Sequence, residues 1–128
     1  MLKLNKYLKE IGITENFYLF DEKNKQLDCR YQEDEDGFIA AECWNLDTTF
    51  AMYIYSHLCY FRDNCNVGHP GNMSEEKWNK VLDDMITAFK LLIEKDETDY
   101  HSIESKNRQK KIRYGLRLFI KYLYDLWY

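Results

Sequence analysis

Residues 74–93 read SEEKWNKVLDDMITAFKLLI, and this stretch decides the fold. Trp78, Val81, Leu82, Met85, Phe89 and Leu92 follow one another at steps of 3, 1, 3, 4 and 3. That spacing is the signature of one buried helical face. Ser74 stands where an N-cap belongs, and Glu75 and Glu76 occupy the first turn, where exposed N–H groups favour negative charge. A helix over 74–94 is expected.

Downstream, the polar stretch from Glu94 to Asp99 reads as a turn between helices. Beyond it, Ile112, Leu116, Phe119, Ile120, Leu123, Leu126 and Trp127 form the apolar set of a helix over 100–127, starting between Asp99 and Ile103. Gly115 sits inside it, at a cost of about 1 kcal/mol relative to Ala. A glycine there lets a neighbouring helix come close.

Upstream, Phe50, Ile54, Leu58 and Phe61 predict a helix over 46–63, capped by Asn45 or Asp47 and fading near Asn64. Residues 66–72 read as a loop and hold the only proline. Leu4, Leu8 and Ile11 mark a short amphipathic helix within 1–13, with Lys3, Lys6 and Lys9 away from that face and Gly12 as its stop. Phe17-Tyr18-Leu19-Phe20 and the partly alternating Gln26 to Tyr31, with Asn24 between them, make a candidate small β-hairpin. Glu33-Asp34-Glu35-Asp36 followed by Gly37 reads as a solvated loop. The expected fold is mainly α: a single-domain bundle (1–128) of three main helices, with 1–43 less regular and 44–128 the helical core.

Composition agrees with a globular chain. Of 128 residues, 45% are hydrophobic and 31% charged, enough for one core and too apolar for disorder. The aromatic share is 16%, with eleven tyrosines. Tyr is amphipathic, so the excess fits either a core margin or a surface that meets a partner. No segment approaches the ~18 apolar residues of a membrane span. Met1 to Ile13 interleaves lysines with leucines, unlike a signal peptide. The expectation is a cytoplasmic protein that stays in the cell that makes it, with reduced cysteines and no membrane partner.

Cys59, Cys65 and His69 read C-x5-C-x3-H, with His57 nearby and Cys29 and Cys43 far upstream. A structural zinc site usually needs short C-x2–4-C knuckles, and none occurs here. Cys59 falls within a helical pattern, where a free thiol behaves as a small apolar residue. Neither metal nor cofactor is expected.

Charge is distributed unevenly. Residues 105–128 hold Lys106, Arg108, Lys110, Lys111, Arg113, Arg117 and Lys121 against one acid, Asp125; the rest of the chain holds 11 basic and 21 acidic residues. Lys106, Lys110, Arg113, Arg117 and Lys121 are spaced 4, 3, 4 and 4. On a helix they form one stripe about 22 Å long. Such a stripe tracks a phosphate backbone, lies solvated, or pairs with Glu33-Asp34-Glu35-Asp36 or Asp83-Asp84 within the protein. The net charge of −4 weighs against nucleic acid as the main partner. Conversely, the acidic clusters Glu33-Asp34-Glu35-Asp36, Asp83-Asp84 and Glu94/Asp96/Glu97/Asp99 offer a mimic of phosphates that enters a basic cleft on another protein.

Catalysis finds little support. There is no Gly-rich phosphate loop and no G-x-S-x-G elbow. Glu75-Glu76 and Asp83-Asp84 evoke the carboxylate helices of all-α nucleotide pyrophosphohydrolases, but position 79 is Asn and a second carboxylate set is missing. The chain reads as a non-enzyme.

Four elements carry a resemblance: W-N-L-D-T-T-F-A-x-Y-I at 44–54, G-x-P-G at 68–71, E-x-W-x-x-V-L-D-x-M-I-x-A-F at 76–89, and G-L-x-L-F-x-K-Y-L-x-x-L-W at 115–127. Together they resemble a group of small uncharacterised proteins from tailed bacteriophages and prophages, over 44–93 and 112–127. The resemblance implies a context, the cytoplasm of a bacterial host cell, and transfers no activity and no functional residue. In that context a small protein without catalytic motifs is expected to bind and inhibit a host macromolecule. The leading expectation is a host protein of the defence machinery, such as a CRISPR effector nuclease or other ribonucleoprotein. The alternatives are an RNA-binding protein using the basic stripe, and a sponge for a small nucleotide signal. The shared elements read as scaffold, with Trp78, Phe89, Phe119, Trp127, Leu46, Phe50 and Ile54 as core anchors. Candidate partner-binding residues are Lys106, Lys110, Arg113, Arg117 and Lys121, together with Glu33, Asp34, Glu35 and Asp36.

Overall fold

A computed structural model describes residues 2–65, 68–94 and 99–127. The protein is mainly helical, and no strand occurs among the described residues. The chain divides into two compact units, 1–56 and 57–128, with the boundary inside the third helix. Among the described residues no helix is long and apolar enough to cross a membrane.

In the first unit, α1 (Lys6–Glu10) begins at Asn5, whose side-chain oxygen accepts the Leu8 N–H at 3.2 Å. It ends at Gly12, where φ of 95° suits a residue without a side chain. Leu8 is fully buried, and Leu4 and Ile11 partly so.

The candidate hairpin at 17–31 is absent. Tight turns carry Phe17 to Phe20, and α2 (Glu22–Leu27) follows. Short polar side chains redirect the backbone. Asp21 accepts the Lys23 N–H at 2.9 Å, and Asp28 accepts the Arg30 N–H at 3.0 Å and caps a 3-10 turn at Cys29–Tyr31. Asn24 donates to the Tyr18 carbonyl at 3.2 Å. Local bonds of this kind compete directly with a strand ladder. The aromatic residues that looked strand-like pack as a cluster instead: Tyr18 stacks on Trp44, and Tyr31 meets Trp44 edge-on. A second 3-10 turn (Ala40–Cys43) leads into α3 (Leu46–Tyr60).

On α3 the buried positions are Thr49, Ala51, Met52, Tyr55, Ser56, Leu58 and Cys59. Phe50 and Leu46, expected as anchors, are 50% and 60% exposed. Apolar residues surround most of this helix, so its sequence period does not select a single inward face.

The second unit opens with the end of α3 and a π-helical turn at Phe61–Cys65. Residues 66–67 of the expected 66–72 loop lie outside the described set, as do 95–98 of the expected turn. α4 (Glu75–Ile93) begins as anticipated, with the Ser74 hydroxyl accepting the Lys77 N–H at 3.2 Å. Trp78, Val81, Leu82, Met85 and Phe89 are all buried. α5 (Ile103–Lys121) is capped by Ser102, and a 3-10 turn (Leu123–Asp125) follows it.

α4 and α5 form an antiparallel pair. Phe89 and Phe119 meet edge-to-face at 5.1 Å, and Trp78 meets Tyr122 likewise at 5.8 Å. At Gly115 the helices come so close that a Cβ would lie 2.3 Å from the Ala88 Cβ and 2.5 Å from the Asp84 carbonyl oxygen. The expected close approach at this glycine is therefore present, and backbone forms part of the opposing wall.

The inward row of α5 is Ser105, Arg108, Ile112, Gly115, Phe119 and Tyr122, at steps of 3, 4, 3, 4 and 3. This corrects the expected apolar face. Ile120 and Trp127 are 74% and 75% exposed. Tyr122 takes the place opposite Trp78, and Ile120 follows Phe119 by one residue, about 100° around the axis. The helix also stops at Lys121, so Leu123, Leu126 and Trp127 do not continue the helical face.

Candidate partner-binding surface

All five stripe residues, Lys106, Lys110, Arg113, Arg117 and Lys121, lie on α5 and face solvent. None forms an ion pair with a described acid of the same unit. Of the acids proposed as internal partners, Asp83 and Asp84 are engaged elsewhere. Asp84 accepts Lys80 at 2.9 Å, and Asp83 accepts Arg62 at 3.4 Å. Arg62 also donates to Asp63 at 2.9 Å, and that carboxylate holds its guanidinium above the ordinary arginine range. Lys121 lies against the Tyr122 ring, its Nζ 5.3 Å from the centroid.

Arg108 plays a different part from its basic neighbours. Its guanidinium turns inward and donates to the carbonyls of Leu91 and Glu94, the latter at 2.6 Å. These are carbonyls of the last turn and cap of α4, where orphaned acceptors and the helix dipole favour a cation. One of the basic charges thus belongs to the scaffold.

The structure gathers part of the stripe into a concavity. Lys106, Gln109, Lys110 and Arg113 on α5, with Tyr100 and His101 before its cap, line a depression of about 360 Å³. Arg117 and Lys121 lie outside it. No carboxylate is among its described lining residues. The Tyr100 ring is 76% exposed and meets His101 edge-on at 5.2 Å. Sequence reasoning missed Tyr100, His101 and Gln109. The available signal was an aromatic pair directly before a capping serine at the basic end of the chain.

Glu33, Asp34, Glu35 and Asp36 lie in the first unit and are all exposed. Their loop closes on itself. Asp34 accepts the N–H groups of Asp36 and Phe38 at 3.0 and 2.8 Å, and Gly37 adopts φ of 90°. One carboxylate of the four therefore serves the turn itself.

Cys59 is buried, Cys65 half-buried, and Cys29 and Cys43 exposed. No grouping of three or more potential metal ligands occurs among the described residues. A second depression, of about 350 Å³, is lined by Phe61, His69, Pro70, Trp78, Asp125 and Trp127 among others. No protein-family model matches the chain, and no curated protein or solved structure matches it.

Proposed function

We propose that this protein is a non-enzymatic binding protein that grips a phosphate-bearing macromolecule through the cationic face of α5. One observation carries the reading: five exposed cations follow one face of a helix while the nearby acids Asp83 and Asp84 take other partners. A row of unneutralised cations on a rigid element attracts a polyanion and releases its counterions on contact. The overall charge of −4 opposes this only through distant groups. At physiological salt, exposed charges act over about 8 Å, so the local row counts for more than distant carboxylates. In the phage setting that the resemblance implies, the RNA of a host defence ribonucleoprotein has this chemistry, and occupying it would inhibit that complex.

The test is direct binding of labelled single-stranded RNA across a salt series. The logarithm of affinity should fall linearly with the logarithm of salt concentration, by about 0.7 for each phosphate contacted. Arg113→Glu with Arg117→Glu should weaken binding far more than Lys3→Glu with Lys6→Glu. Equal affinities for the two charge-reversed proteins would defeat the proposal.

A further inference from the structure

The depression at the start of α5 has a composition that the stripe alone does not explain. Lys106, Lys110 and Arg113 enter it at i, i+4 and i+7, spanning about 10 Å of helix axis. They meet there without a carboxylate among the described lining residues. Three cations around one concavity repel one another, and an anion of several charges relieves that repulsion. Arg113 adds a fork suited to phosphate oxygens.

The remaining residues point beyond a bare anion. Tyr100 presents a largely exposed ring beside the cations. Every nucleobase has a π-face, and stacking on an exposed aromatic ring is a recurrent way of holding one. Gln109 supplies both a donor and an acceptor for the edge of a planar heterocycle. The volume of about 360 Å³ falls in the range of small-ligand sites, roughly 300–1,000 Å³.

We infer that this depression is a nucleotide subsite, in which a base stacks on Tyr100 while its phosphates lie against Lys106, Lys110 and Arg113. The inference rests on the cationic-face reading and deepens it, by dividing the stripe into a nucleotide-holding end and a backbone-tracking end at Arg117 and Lys121. A free nucleotide and one residue of an RNA strand present the same chemistry.

Calorimetric titration with ADP, inorganic pyrophosphate and an eight-residue oligoadenylate tests it. ADP should bind more tightly than pyrophosphate if a free nucleotide is the source. A strand source makes the oligomer the tighter ligand, with Tyr100→Ala weakening it. In either case Tyr100→Ala should cost roughly 5- to 150-fold in affinity. It should leave the salt slope of oligomer binding unchanged, whereas Lys110→Ala should reduce that slope by about 0.7. Tyr100 is exposed, so the variant's thermal midpoint should match the parent's. Affinities for both ADP and oligomer that ignore Tyr100→Ala would overturn the subsite. The cationic-face proposal would survive that result if Arg113→Glu with Arg117→Glu still weakened RNA binding, and fall with it if no RNA bound at all.

Discussion

Two faces of α5 lie about 100° apart and differ in almost every respect. The inward row, Ser105 to Tyr122, is closed by packing against α4, and even its one charged member, Arg108, is consumed by the carbonyls at the end of that helix. The neighbouring row, Lys106 to Lys121, carries five exposed cations with no ion-pair partner among the described acids of its unit. Arginines five residues apart, Arg108 and Arg113, thus belong to different physical problems. One compensates buried acceptors, and the other keeps a charge in solvent. A basic residue count alone merges the two.

The sharpest way to test that division is to add volume on each face. Gly115→Val should destabilise the protein by about 3 kcal/mol or more, because the Asp84 backbone cannot move aside as a flexible side chain would. Lys110→Val, on the open face, should remain within about 0.5 kcal/mol of the parent. Urea denaturation of the pair measures both. Equal stabilities would mean that the helices do not approach as described.

Charge removal should give the next largest contrast. Arg108→Ala leaves two carbonyls near the end of α4 without their charged donor and should cost about 1.5–3 kcal/mol. Arg113→Ala should change stability by no more than about 0.5 kcal/mol. If the two variants melt together, Arg108 has no scaffold role.

Reversal of Arg113 and Arg117 to Glu should invert the pattern, keeping the fold and weakening RNA binding at least tenfold, about 1.4 kcal/mol. Far-UV circular dichroism with a binding isotherm separates the two effects. A folded variant with undiminished affinity would reduce the cationic face to the solvated back of a helix.

The smallest effect belongs to the paired acids of α4. The hydrogen bond that Lys80 donates to Asp84 raises the Lys80 pKa above its usual value. A raised lysine contributes its stability fully below that usual value and loses it as pH climbs through the raised one. Lys80→Ala should therefore differ slightly from the parent at neutral pH, and the difference should vanish in strong alkali. A gap that widens with alkalinity would mean that the pair is not formed.

Legibility followed regularity. The N-cap at Ser74, the stripe from Trp78 to Phe89 and the start of α5 near Ser102 were readable because each rests on spacing within a few residues. The segment 16–43 was misread at its aromatic runs. Phe17 to Phe20 alternate poorly, and the deciding contacts join Tyr18 and Tyr31 to Trp44, a residue more than a dozen positions away. On α3, apolar residues around most of the helix let the spacing select Phe50, whereas Met52 is the buried one. For the candidate site, the cations were legible as a stripe, but Tyr100 and Gln109 were not, because a depression exists only once α5 and the turn before it share one surface.

Helical content, the caps and the row of cations all follow from the order of residues, since each depends on local backbone bonding and a period of 3.6. Which of two adjacent rows turns inward does not follow. One residue changes the direction by about 100°, and both rows of α5 contain groups able to pack. That choice was made by α4, through Ala88, Phe89 and the carbonyls of Leu91 and Glu94. It sent Arg108 inward, left Ile120 outside, and placed Lys106, Lys110 and Arg113 around one concavity.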